Sequence, residues 1–107
     1  MNNPTIGSHS PWGAIDDAKE IAEGIVSVGT PSHGGIWLSP ERFAQMPACL
    51  RNRNWLGEES NWFEEDCSWL LVVARFPECF SEGIQGEYKA QLELQYPGVL
   101  ALLKGGA

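Results

Sequence analysis

The sequence of 107 residues is poor in basic side chains and rich in acidic ones. Seven lysines and arginines stand against fourteen aspartates and glutamates, which gives a formal charge of −7. Nucleic acids and anionic lipid surfaces attract proteins through basic patches, so this balance argues against direct binding to either. It suits a protein that meets a basic protein surface.

The chain also lacks the features of membrane and exported proteins. Its longest apolar run, Trp69 to Ala74, is six residues long, whereas about 20 are needed to span a bilayer. The first residues contain no positive cluster followed by an apolar run, so no signal peptide is expected. The three cysteines form no CxxC pair, which argues against a disulfide framework. We therefore expect a cytoplasmic protein with reduced thiols.

Aromatic residues are abundant enough to build a small core. The chain has five Trp, four Phe and two Tyr, and a chain of this length normally forms one domain. We expect a single domain over residues 1–107, with residues 1–12 as an irregular lead-in. Alternation and turn signals predict an antiparallel meander with strands near 17–22, 24–29 and 35–38.

The rest of the chain is predicted to be helical. Ser39 is a good N-cap, and Pro40 suits the first turn of a short helix. Asn61 is followed three residues on by Glu64, which indicates a capping box at the start of the main core helix. From about Glu82 onward apolar residues recur at a spacing of four and predict further helix. The expected fold class is α+β, a small N-terminal antiparallel β-meander followed by three to four helices.

Two segments carry residues with chemical potential. The first, TPSHGG at residues 30–35, places Ser32 and His33 in a glycine-rich turn between two strands. The second, WFEEDCSW at residues 62–69, carries three carboxylates and the Cys67 thiol. A turn packed over the start of the predicted helix would bring His33 towards Cys67. Ser32, His33 and Cys67 therefore define a candidate ligand site.

Three interpretations of this pair of segments remain open. A Cys–His nucleophilic pair needs a thiolate, which three adjacent carboxylates disfavour. His33 with Glu64, Glu65 or Asp66 offers metal-ligand types, but no HxxxH, HxH or CxxC spacing accompanies them. In the structural interpretation these acids simply hydrogen-bond the turn. We assign no catalytic residue, no metal ligand and no cofactor, and we favour a non-enzymatic role.

Acidic residues also cluster beside two tryptophans. Five carboxylates fall within nine residues with no base between them: Glu58, Glu59, Glu64, Glu65 and Asp66. Trp55 and Trp62 flank the start of this stretch. Acid runs are usually solvated faces, yet tryptophans are common binding anchors and carboxylates steer basic partners. These seven residues are the predicted partner-binding surface.

Two stretches, TPSHGGIWLSPERFAQMP and WFEEDCSW, resemble a family defined as a domain of unknown function and found in phage and plasmid proteins. The resemblance covers about residues 11–80. The family brings no established activity, so no catalytic residue follows from it. It implies a mobile element and a location in the cytoplasm of a bacterial host cell, a context in which small acidic proteins are often inhibitors of host defence.

We therefore expect a non-enzymatic phage or mobile-element inhibitor of host defence, similar to anti-CRISPR proteins and acting as a DNA mimic. Its expected partner is a CRISPR effector subunit or a restriction enzyme, with no direct contact to nucleic acid or membrane. The alternative is a small enzyme or a metal- or ligand-binding module centred on His33 and Glu64–Cys67. The stripe of Ile84, Tyr88, Leu92 and Tyr96 leaves both a monomer and a homodimer open.

Overall fold

The computed structural model describes residues 3–47, 50–53, 59–64, 68–81, 84, 90–92 and 94–96. In chain order the strands are β1 (His9–Ser10), β2 (Gly13–Ala14), β3 (Asp17–Ala22), β4 (Ile25–Gly29), β5 (Gly34–Leu38), β6 (Asn52–Arg53), β7 (Glu59–Ser60) and β8 (Trp62–Glu64). The helices are α1 (Pro40–Ala44), α2 (Trp69–Arg75) and a 3-10 helix (Pro77–Cys79). Helical backbone also occurs at residues 84, 90–92 and 94–95.

A four-stranded antiparallel sheet with the order β3-β4-β5-β8 forms the centre of the molecule. The turn between β3 and β4 contains Gly24, whose φ of 80° is a conformation that glycine adopts without strain. Strand β8 comes from much later in the chain and pairs along the free edge of β5. Two small pairs, β1–β2 and β6–β7, lie outside this sheet.

Each face of the sheet buries its own apolar cluster, because side chains alternate along the strands. The first, which we call the helix face, includes Ile25, Ile36, Leu38 and Phe63, packed with the buried leucines and valines of α2. The second, the strap face, includes Val26, Val28 and Trp37. It is covered by residues 3–15, the N-terminal strap, which contributes Trp12 and Ile15 to the cluster.

The predicted fold class, a meander followed by three to four helices, is wrong. The described chain is mainly β, and its helices are few and short. Strand β8 occupies the start of the predicted core helix, and α2 begins only at Trp69. Trp62 and Phe63 of β8 enter the clusters of opposite faces. Pairing with β5 and burial on both sides therefore outweigh the local capping signal of Asn61 and Glu64.

Other predicted elements lie close to their expected positions. The three strands of the meander agree with β3, β4 and β5 to within one residue. Helix α1 begins at Pro40, and its N-cap Ser39 accepts the Arg42 N–H at 3.2 Å. The expected lead-in over residues 1–12 contains the strand β1. Of the helix predicted from about Glu82 onward, residues 84, 90–92 and 94–95 are helical. Within the described residues, no helix has the length and apolarity needed to cross a membrane.

Gly35 fixes how closely the strap can approach the sheet. A Cβ on Gly35 would lie 2.6 Å from Cη2 of Trp12 and would collide with the carbonyl oxygen of Phe63. Only a residue without a side chain therefore leaves room for the Trp12 ring at this position. At Gly35 the strap therefore rests directly on the backbone of β5.

Replacing Gly35 with alanine should destabilise the protein. The added methyl group forces Trp12 off the sheet or shifts β8, and overpacking of this kind costs about 1–3 kcal/mol. Gly29→Ala is the matched control, because its Cβ would meet its nearest neighbours at 3.6 and 3.8 Å, ordinary contact distances. The free energies of unfolding come from urea titrations. Equal stability of the two variants would contradict the role given to Gly35.

Candidate functional site

The pairing register brings residues of the two sequence segments together at one end of the sheet. On the strap face, two rows of side chains cross all four strands. One row is Glu20, Val26, Trp37 and Trp62. The other is Ala18, Val28, Gly35 and Glu64. Trp62 and Glu64 thus share a face on the edge strand, at the start of the acidic segment.

Trp12 and Trp62 form an aromatic corner on this face. Their ring centroids are 5.9 Å apart and their planes cross at 89°. Both tryptophans are half-buried. Perpendicular indole rings of this kind attract each other edge to face and hold a fixed orientation.

Glu64 lies beside the corner. It stands opposite Gly35 in the ladder, and the Leu38 N–H donates to the Asn61 carbonyl at 2.9 Å. Ladder alternation then makes Gly35 and Glu64 a non-hydrogen-bonded pair, in which the Cα atoms are about 4.5 Å apart. Trp12 covers Gly35, the residue of β5 that is paired with Glu64.

The free edge of β8 is closed by two serine hydroxyls. The Trp62 N–H donates to Ser60 Oγ at 3.2 Å, and the Glu64 N–H donates to Ser68 Oγ at 2.7 Å. Both N–H groups point away from β5 in the ladder. Without the two serines, both could donate hydrogen bonds to a strand of another molecule. These two N–H groups are therefore already bonded and are not available for pairing with another strand.

The turn at residues 30–33 is held by Thr30. Its hydroxyl donates to the His33 carbonyl at 2.6 Å and accepts the His33 N–H at 3.1 Å. The same turn reaches the strap, because Ser32 Oγ donates to the Trp12 carbonyl at 3.4 Å and Thr30 Oγ1 lies 3.3 Å from it. The turn thus tethers the strap. The structural interpretation of the sequence predicts that it tethers a helix.

His33 is exposed, and its imidazole makes no hydrogen bond with any described residue. Within the ranges that the structure covers, no three His, Cys, Asp or Glu side chains converge as metal ligands do. Cys67, Glu65 and Asp66 lie outside the described residues. The predicted ligand site of Ser32, His33 and Cys67 therefore stays a prediction.

The acidic residues differ in what they face. Glu59 pairs with Arg51, whose Nη1 lies 3.4 Å from its carboxylate. Glu64 has no cation within ion-pair distance among the described residues. Glu58 and Trp55 lie outside the described residues. Of the predicted partner-binding surface, the structure brings together Trp62 and Glu64 and places Glu59 in an internal ion pair.

Arginines gather on the opposite side of the molecule. Arg42 and Arg75 lie over the Phe76 ring at 4.9 and 4.8 Å, and Arg51 lies over Phe43 at 5.3 Å. Both phenylalanines pack in the cluster of the helix face.

Each of these arginines also donates its Nε to a backbone carbonyl: Arg42 to Glu23, Arg51 to Met46 and Arg75 to Gln45. The rows of the strap face contain two glutamates and no base. Among the described residues, these three arginines therefore lie on the helix side of the sheet, whereas the only charged residues in the strap-face rows are carboxylates.

Trp12 is the member of this site that sequence reasoning missed. It lies in a segment of Asn, Ser, Pro and Gly, which resembles a mobile arm. One signal was present, namely a large aromatic residue in an otherwise polar stretch. Its partner Gly35 carried the second signal, because glycine inside a strand indicates a close approach of another group.

The chain belongs to a family of unknown function. The model of the family described as a domain of unknown function, DUF7007, matches residues 5–103. The match extends beyond the two stretches that suggested a family of this kind and includes most of the strap and of the C-terminal residues. No curated protein and no solved structure matches the chain.

The turn should depend on Thr30 and not on the imidazole. Thr30→Val keeps the shape but removes the hydroxyl, so the His33 backbone loses two bonds and stability falls by about 1 kcal/mol. His33→Ala should change stability by less than about 0.5 kcal/mol, because the ring is exposed. Urea titrations measure both. A larger loss in His33→Ala would show that the imidazole has a structural partner.

The closed edge gives a second test. Ser68 is 3% exposed, so Ser68→Ala leaves the Glu64 N–H without an acceptor and should cost about 1–2 kcal/mol. Ser60→Ala is the control, because half-buried Ser60 is replaced more easily by water and the loss should stay below about 1 kcal/mol. Both losses are read from urea unfolding. Equal losses would mean that burial of the serine does not matter.

Proposed function

We propose that the protein is a binding module that recognises a basic protein partner through the strap face. The contact surface is formed by Trp12, Trp62 and Glu64, here called the corner surface. The observation that carries the proposal is the juxtaposition of two half-buried tryptophans with a carboxylate that no described cation neutralises. Tryptophan is enriched among residues that dominate binding energy at interfaces.

The charge distribution supports a basic partner. The chain carries a formal charge of −7, and three of its seven basic residues are engaged with phenylalanine rings on the helix side. A positively charged partner is therefore attracted to the molecule as a whole and meets carboxylates at the strap face. Such attraction raises the association rate, and salt weakens it.

The carboxylate and the indole rings of the corner surface contribute to binding in different ways. The carboxylate of Glu64 steers and orients a cationic group, while the indole rings supply contact area with little conformational entropy to lose. Glu65 and Asp66 follow Glu64 in the sequence and belong to the predicted partner-binding surface.

We propose further that the partner is a nucleic-acid-handling protein of a host defence system, bound in an anti-CRISPR-like manner. The support is the acidity of the chain, since a surface of carboxylates imitates the phosphates that such a protein normally holds. We include in this proposal that the family originates in mobile elements. Inhibition of a purified CRISPR effector or restriction enzyme by the protein, reversed by excess DNA, tests the proposal.

A charge reversal on the corner surface should abolish most of the binding. We expect Glu64→Lys to weaken binding to a short lysine- and arginine-rich peptide about tenfold, equivalent to about 1.4 kcal/mol. Raising salt from about 50 mM to about 200 mM should weaken the binding of the unaltered protein, mainly through the association rate. Surface plasmon resonance measures the association and dissociation rates separately.

The matched control is Glu78→Lys. Glu78 is exposed in the 3-10 helix that follows α2, so this variant makes the same change of net charge away from the strap face. Its affinity should change by less than about twofold, as a remote surface charge does. Equal losses in both variants would show that net charge alone attracts the peptide and would overturn the assignment of the corner surface.

A further inference from the structure

The corner surface combines a flat aromatic wall with a carboxylate, and this combination suits one cationic side chain better than the other. Arginine has a planar guanidinium that stacks on aromatic rings and donates two parallel hydrogen bonds to a carboxylate. The lysine ammonium is a compact, strongly hydrated charge that matches neither the ring plane nor the paired oxygens. The chemistry of the site therefore distinguishes the two.

We propose that the corner surface reads an arginine side chain of the partner and discriminates against lysine. The inference rests on the proposed function and names the group that the site takes. The guanidinium lies on the exposed part of one indole, with its edge N–H groups directed at Glu64. The second indole stands at 89° to the first and closes one side of the site.

The molecule shows this arrangement among its own residues. Each of Arg42, Arg51 and Arg75 places its guanidinium carbon 4.8–5.3 Å from a phenylalanine centroid while its Nε donates to a carbonyl oxygen. The ring contacts the flat face of the guanidinium, and the carbonyl oxygen accepts a hydrogen bond from its edge. The corner surface offers the same pair of groups, with larger rings and a charged oxygen.

Glu64 is the carboxylate available for this role. Glu20, the other acid of the strap-face rows, accepts the Asn3 side-chain amide at 2.9 Å at the far side of the sheet. Glu59 is already paired with Arg51. Among the described residues, Glu64 alone combines a place beside the indole pair with a carboxylate that no cation of the described chain neutralises.

The test compares three peptides that differ only at their basic positions, which carry arginine, lysine or neutral citrulline. In isothermal titration calorimetry with the full chain, the arginine peptide should bind about tenfold more tightly than the lysine peptide. The citrulline peptide should show no measurable binding. Equal affinity for arginine and lysine would overturn the inference and leave the proposed function standing. Absence of binding to both would overturn the proposed function itself.

Conservative variants locate the discrimination. Glu64→Gln keeps the shape of the side chain and should reduce the arginine-over-lysine ratio towards one. Trp62→Phe offers a weaker ring for a cation and should lower arginine affinity several-fold. Trp69→Phe is the control, because Trp69 packs against the cluster of the helix face. Loss of discrimination in Trp69→Phe, or its retention in Glu64→Gln, would contradict the assignment.

Discussion

The close approach of Trp12 to the bare backbone of Gly35 is the constraint on which the rest of the strap face depends. Without a side chain at Gly35, the indole ring lies on the sheet and completes the second apolar cluster with Val26, Val28 and Trp37. The same approach brings the Trp12 ring perpendicular to its neighbour on β8. A structural need, the covering of the second face of a small sheet, therefore creates the surface that we assign to binding.

The two faces of the sheet differ in the size of their apolar clusters and in the charged residues around them. The helix face buries the larger cluster, and its surrounding arginines are held by phenylalanine rings and backbone carbonyls. The strap face buries the smaller cluster and presents carboxylates without a neutralising base among its row residues. Because serine hydroxyls close the edge of β8 against strand pairing, the recognition that we propose on this side depends on side-chain chemistry.

Local elements of the fold could be predicted from the sequence better than their assembly. Alternation predicts β3 to β5, because that signal acts within a few residues. Strand β8 was missed because its capping-box pattern is local, whereas the pairing of Gly35 with Glu64 joins distant parts of the chain. Trp12 was missed for the same reason, since the path of the strap sets its place over the sheet. Residue type alone assigns Trp62, Glu64 and Glu59 to the predicted surface, and it gives no sign of the ion pair that Glu59 makes with Arg51.

The central claim is that a basic partner contacts the corner surface, and the indole N–H resonances of the five tryptophans test it most directly. In a nuclear magnetic resonance titration with an arginine-rich peptide, the signals of Trp12 and Trp62 should shift in a saturable, salt-sensitive manner while the signal of Trp69 stays in place. Shifts confined to Trp69, or equal small shifts of all the tryptophans, would contradict the account.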